Sequence, residues 1–163
     1  MNFINTYEFE KDAKHVLPSS MYDYIASGAY DEETLSRNRD AFKKIYITPR
    51  VLRGSTQTQT HISLLGHHLP HPLFSSPTAF HCAVHPLGEK ATISALNELK
   101  IGMTLSTISS VSLEKIAAMA STPLWFQLYI HKDRTLTQDL IQRAEKSGFK
   151  ALVLTVDVPI MGK

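Results

Sequence analysis

Along the chain the spacing of apolar residues changes character near residue 72. Before it, apolar positions are sparse and fall at loosely helical intervals. Tyr7, Phe9, Ala13 and Val16-Leu17 predict a first helix that Pro18 stops. Ser19 or Ser20 is placed to cap a second helix, carrying Tyr22, Tyr24 and Ile25 and ending near Gly28. A third begins at Asp31 and carries Leu35, Asn38 and Phe42. Residues 45–47 read as a short strand closed by Pro49. Ile62, Leu64 and Leu69 alternate with polar residues, which predicts a β-hairpin turning at Gly66-His67.

After residue 72 the pattern becomes regular. Short apolar runs starting near residues 73, 102, 124 and 151 alternate with one-sided helical segments over 88–100, 112–120 and 135–147. Thr135 and Gln138 have capping-box spacing, and Gly148 stands where a helix C′ residue belongs. The order is β-α-β-α-β-α-β. Continuous apolar strands separated by amphipathic helices predict a parallel sheet covered by helices. Both an open doubly wound sheet and a (β/α)8 barrel fit that order. No Gly-x-Gly-x-x-Gly follows the first strand, and polar residues recur at successive strand ends, as on the active face of a barrel. The fold class expected is therefore α/β: a helical segment and hairpin over residues 1–71, then four strands and three helices of a TIM barrel over 72–163.

Composition narrows the partners. The 163 residues carry 17 Lys+Arg against 15 Asp+Glu, a net charge of +2, with no basic block; nucleic acid is not an expected partner. Cys82 is the single cysteine, so no disulfide framework forms within the chain. No signal-like start or membrane-length apolar run is present, and a cytoplasmic location is expected, with peripheral membrane association left open.

Two histidine clusters carry residue types that metals bind. His67, His68 and His71 sit on the hairpin without a nearby Cys or carboxylate, and a solvated surface is the better reading. His81-Cys82-x-x-His85 lies in the loop after the first barrel strand, and no metal is expected there either. Gln127 stands out differently: a primary amide inside an apolar strand needs partners.

Nine motifs in order carry a resemblance. They are Tyr22-Asp23-Tyr24-Ile25-Ala26-Ser27-Gly28-Ala29, Asn38-Arg39-Asp40-Ala41-Phe42, Pro49-Arg50-Val51-Leu52, Ser76-Pro77-Thr78-Ala79, and His85-Pro86-Leu87-Gly88-Glu89. Met103-Thr104-Leu105-Ser106, Trp125-Phe126-Gln127-Leu128-Tyr129, the stretch 144–151 and Thr155-Val156-Asp157-Val158-Pro159 follow. Together they resemble the N-terminal half of the FMN-dependent 2-hydroxy acid oxidases and dehydrogenases, the family of glycolate oxidase, lactate oxidase and the flavin domain of flavocytochrome b2.

The resemblance implies FMN as cofactor and oxidation of a small (S)-2-hydroxy acid to the 2-oxo acid, by an oxidase or an L-lactate dehydrogenase. Pro77, Thr78 and Ala79 would line the flavin ring. Ser106, Gln127 and Thr155 would hydrogen-bond its polar edge. Tyr24 would bind the substrate carboxylate and Tyr129 would lie near its hydroxyl. Plant glycolate oxidases typically carry an aromatic residue where Ile108 stands, so a larger or more apolar 2-hydroxy acid fits as well as glycolate. The family's proton-accepting histidine, its two arginines and lysine, and its phosphate-binding loops would follow Lys163. The expectation is a truncated barrel, inactive alone, whose complete form is a homo-oligomer. Half of a split enzyme and a non-catalytic remnant are the alternatives.

Overall fold

The computed structural model describes residues 3–54 and 57–157, and these two stretches form two compact units. In the first unit α1 (Thr6–Val16), α2 (Ser19–Ala26) and α3 (Glu33–Asp40) follow one another. Asn5 caps α1 by accepting from the Tyr7 N–H at 3.0 Å. α2 starts directly at Ser19 after Pro18, and neither serine caps it; proline's fixed φ sets the entry instead. α3 begins at Glu33, two residues later than the sequence pattern places it. Residues 45–47 are not a strand, since among the described residues no second strand lies alongside to receive their hydrogen bonds.

The hairpin of the second unit pairs β1 (Ile62–Leu64) with β2 (His67–Leu69), antiparallel, with Leu64 opposite His67. Its two-residue turn is Leu65-Gly66, one position earlier than expected. Both turn residues have positive φ, 47° and 79°, as a type I′ turn requires.

The rest of that unit is β3 (Phe74–Ser75), α4 (Glu89–Leu99), β4 (Gly102–Leu105), α5 (Leu113–Met119), β5 (Leu124–Leu128), α6 (Arg134–Lys146) and β6 (Ala151–Leu154). The strands form one parallel sheet in the order β3-β4-β5-β6. Consecutive order without a reversal point distinguishes a barrel-type sheet from a doubly wound one. So does the placement of the core. Met103, Leu105, Leu124, Phe126 and Leu128 pack with Ile93 of α4, Leu113 and Ile116 of α5 and Ala144 of α6, so all three helices cover one face.

The opposite face carries Phe74, Gly102, Thr104, Trp125 and Gln127, by the alternation of strand residues. The Phe74 and Trp125 rings stack there at 4.0 Å. Gly102 permits this: a Cβ at that position would stand 2.2 Å from the Phe74 ring.

Helix ends fix the loops. Asp133, not a Thr135–Gln138 box, caps α6, accepting from the Thr135 N–H at 2.8 Å and its hydroxyl at 2.6 Å. Those two donors, the hydroxyl first, hold the Asp133 carboxyl below its ordinary pKa. At the other end Gly148, at φ 86°, donates to Glu145 and Phe149 donates to Ala144, a Schellman closure that turns Phe149 onto Phe126. Asn97 ties α4 to the loop before β5, donating to the Met119 carbonyl and accepting from the Ser121 N–H, both at 2.8 Å. Among the described residues no helix is long and apolar enough to cross a membrane.

Candidate active site

Parallel strands end their hydrogen bonding at the same edge, so the residues just past each C-terminus come together. Ser106 follows β4, Gln127 is the penultimate residue of β5, and Thr155 follows β6. Ser106 and Gln127 are buried and Thr155 is half-buried. The Ser106 hydroxyl donates to Gln127 Oε1 at 3.3 Å, and Gln127 Nε2 donates to Thr155 Oγ1 at 2.8 Å. Three residues assigned to one role from the sequence thus form one continuous polar row across three adjacent strands.

Thr107 completes the row, and sequence reasoning passed over it. Its N–H donates to Gln127 Oε1 at 3.0 Å and its hydroxyl donates to the Gln127 carbonyl at 2.5 Å. The same hydroxyl accepts from the Tyr129 N–H at 3.2 Å, which sets the backbone of Tyr129 beside the row. A threonine directly after a serine at a strand end was the available signal. The Tyr129 ring is partly exposed, as is Ile108, whose N–H donates to Ser106 Oγ at 3.1 Å.

Residues 77–79 follow β3 at the same edge of the sheet. Pro77 and Thr78 are exposed and Ala79 is half-buried. This segment is laced to the loop after β4, because the Phe80 N–H donates to the Ile108 carbonyl at 3.2 Å. Tyr24 lies on α2 in the first unit, with its ring 60% exposed.

His68, His71 and His81 of the two clusters have protein partners. His68 Nδ1 is 2.8 Å from Ser63 Oγ, and His71 Nε2 is 3.0 Å from the Leu99 carbonyl. His81 uses both ring nitrogens on threonine hydroxyls, Nδ1 on Thr92 at 3.0 Å and Nε2 on Thr78. Among the described residues no group of His, Cys, Asp or Glu is arranged to hold a metal. Cys82 is exposed in the same loop.

The donor set suits an uncharged, flat heterocycle with alternating carbonyl and N–H groups. It comprises two hydroxyls and a primary amide, each able to donate and accept, on rigid strand ends. The internal bonds use one Gln127 N–H and the acceptor side of Thr155. A second amide proton and the Thr155 hydroxyl proton remain for a ligand. The residues therefore fit the polar edge of a flavin.

Comparison with known proteins gives the same answer from the whole chain. L-Lactate oxidase of Nostoc sp. is 46% identical over 98% of the chain. Glycolate oxidase of Spinacia oleracea is 42% identical over 100% of it, and 4-hydroxymandelate oxidase of Amycolatopsis orientalis 39% over 100%. The chain spans 44–45% of the length of these relatives. The crystal structure of mandelate oxidase superposes with a TM-score of 0.93 at 38% identity, over 99% of this chain and 47% of that one. The four-stranded sheet and its helices are accordingly part of a TIM barrel. The FMN-dependent dehydrogenase profile matches residues 13–163, and the chain belongs to that family.

Proposed function

We propose that this chain supplies the flavin-edge portion of an enzyme that oxidises an (S)-2-hydroxy acid to the 2-oxo acid. The observation that carries the reading is the Ser106–Gln127–Thr155 row, three hydrogen-bonding side chains joined across the C-terminal ends of β4, β5 and β6. When bound, FMN supplies a two-electron acceptor. The chain's own residues orient and bind. Gln127, held from both sides, presents its amide at a fixed angle. Ser106 and Thr155 flank it, and residues 77–79, at the end of the neighbouring strand, would line the flavin ring. Tyr129, whose backbone lies beside the row, would meet the substrate hydroxyl, and for Tyr24 the family resemblance implies the carboxylate. Fixed on rigid strand ends, these donors would hold the group's polar edge without rearranging.

Ile108, aliphatic and partly exposed beside Ser106, suits a substrate with an apolar side chain as well as glycolate. The relatives' names span lactate, glycolate and 4-hydroxymandelate, which brackets the class. A cytoplasmic homo-oligomer is the assembly proposed for the whole protein.

The test joins residues 1–163 to the remainder of the Nostoc L-lactate oxidase in one polypeptide. The expected product is yellow after desalting, and anaerobic L-lactate or (S)-mandelate bleaches the flavin. Gln127→Leu should weaken FMN binding about tenfold or more, the value of one to two net hydrogen bonds. A folded chimera that emerges colourless would overturn the reading.

A further inference from the structure

The loop from β3 to α4 holds itself in an unusual way. Phe80 has φ 57°, a left-handed conformation that a bulky residue adopts only when its surroundings hold it. The turn this makes brings His81 back over the loop, so that its imidazole bridges Thr78, in the segment bordering the site, and Thr92 on α4. Each hydroxyl can donate or accept, so the bridge closes with either ring tautomer.

One turn before Thr92, Glu89 is fully buried. Its Oε1 accepts from the Ser110 N–H at 2.8 Å and from the His81 N–H at 3.4 Å, while Oε2 has no partner. A buried carboxylate is costly unless its bonds and surroundings repay it. Here it sits in the first turn of an 11-residue helix, where the positive end of the dipole favours it. The Cys82 N–H donates to Ser110 Oγ at 3.2 Å, a second lace between the same two loops. The first turn of α4 therefore grips both loops: Glu89 holds the backbones, and Thr92 holds the His81 ring.

We propose that His81 is a positioning residue which, braced by Thr92 and Glu89, fixes Thr78 and the 77–79 segment against the cofactor. The inference rests on the function proposed above. Without the bridge, the Thr78 hydroxyl rotates freely and the loop is left with the Glu89 hold on its backbone.

Residue-resolved amide exchange on the 163-residue chain tests the brace directly. Thr92→Val removes one hydroxyl at nearly constant shape, and His81→Ala removes the bridge. Both should speed exchange of the Phe80 amide about tenfold, the loss of one net hydrogen bond's worth of protection, with β5 and α6 unchanged. His81→Gln, which keeps a donor and an acceptor, should restore part of the protection. Unchanged Phe80 exchange, or faster exchange spread evenly over the sheet, would overturn the proposal. In the chimera, Thr92→Val should raise the FMN Kd about tenfold while the substrate KM stays constant. An unaltered FMN Kd beside altered exchange would also overturn it. A colourless unsubstituted chimera would count against the proposed function instead, and exchange alone would then decide whether His81 positions the loop.

Discussion

The two units use amphipathic helices to opposite ends. None of α1, α2 or α3 contains a buried residue, and Tyr7, Phe9, Tyr24 and Phe42 are all more than half exposed. Within that unit the ties are surface ones: Arg39–Glu10 at 3.0 Å, Lys43–Asp40 at 2.7 Å, and the Phe3 and Phe9 rings at 4.0 Å. Exposed ion pairs of this kind each contribute about 0–1 kcal/mol. In residues 57–157 the helices are no more hydrophobic in pattern, yet Ile93, Ile116 and Ala144 are completely buried. The difference is the sheet. Parallel strands present a continuous apolar face, and a helix stripe gains stability only from a surface that covers it.

The largest effect that would break this comparison is in the core. Phe126→Ala, at a ring 2% exposed and edge-on to Phe149, should cost about 3–5 kcal/mol in urea unfolding. Phe42→Ala, at a ring 76% exposed, should stay within about 0.5 kcal/mol. Equal losses would mean that the first unit shares the core's energetics.

Gly102→Ala should come next. The added methyl meets the Phe74 ring, and about 1–3 kcal/mol is the usual cost of such overpacking. Near-ultraviolet circular dichroism should show the Phe74–Trp125 stack disturbed. Gly28→Ala in the first unit meets only Leu35 and Glu32 side-chain atoms, at 3.1 Å or more, and should be felt less.

Helix caps sharpen the contrast further. Asp133→Ala removes the α6 cap and should lower the unfolding free energy by about 1 kcal/mol. Asn5→Ala removes the matching cap on α1, and should reduce helicity by circular dichroism while leaving the unfolding midpoint of residues 57–157 in place.

The smallest effect is in acid. Glu114 of α5 pairs with Arg143 of α6 through two bonds, 2.7 and 3.2 Å, and the guanidinium holds the Glu114 carboxyl below its ordinary pKa. A lowered folded-state pKa contributes stability above the unfolded value, and that contribution is lost as pH falls through the folded one. The stability difference between the unsubstituted chain and Glu114→Gln should be constant near neutrality and shrink on acidification. The exposed setting keeps it small.

Much of the site was legible in advance because strand ends are local. An apolar run that ends in Ser106, or holds Gln127, or stops at Thr155, marks a polar group at the rim of a buried sheet whatever the fold. Thr107 needed the structure, since its hydroxyl serves the carbonyl of a residue 20 positions away. By sequence His81 belongs to a loop cluster where no metal is expected, and its two threonine partners emerge only when the loop folds onto α4. Nothing local in the sequence marks Glu89 as buried. The misplaced cap at Thr135, the hairpin turn one residue off and the strand expected at 45–47 share a cause: short-range preferences compete closely, and neighbouring contacts choose between them.

By itself, the sequence determined the order of strands and helices from residue 72 onward and the chemical types at the strand ends. Period and polarity are properties of a few adjacent residues. It also carried the family resemblance, through motifs spread along the chain. Tertiary structure alone decided that Ser106, Gln127 and Thr155 form one bonded row, that α4 braces two loops through Glu89 and Thr92, and that the apolar stripes of α1–α3 stay uncovered within their own unit. Each of those depends on residues far apart in the chain meeting at hydrogen-bond or van der Waals distance, which the packing of the sheet and its helices sets.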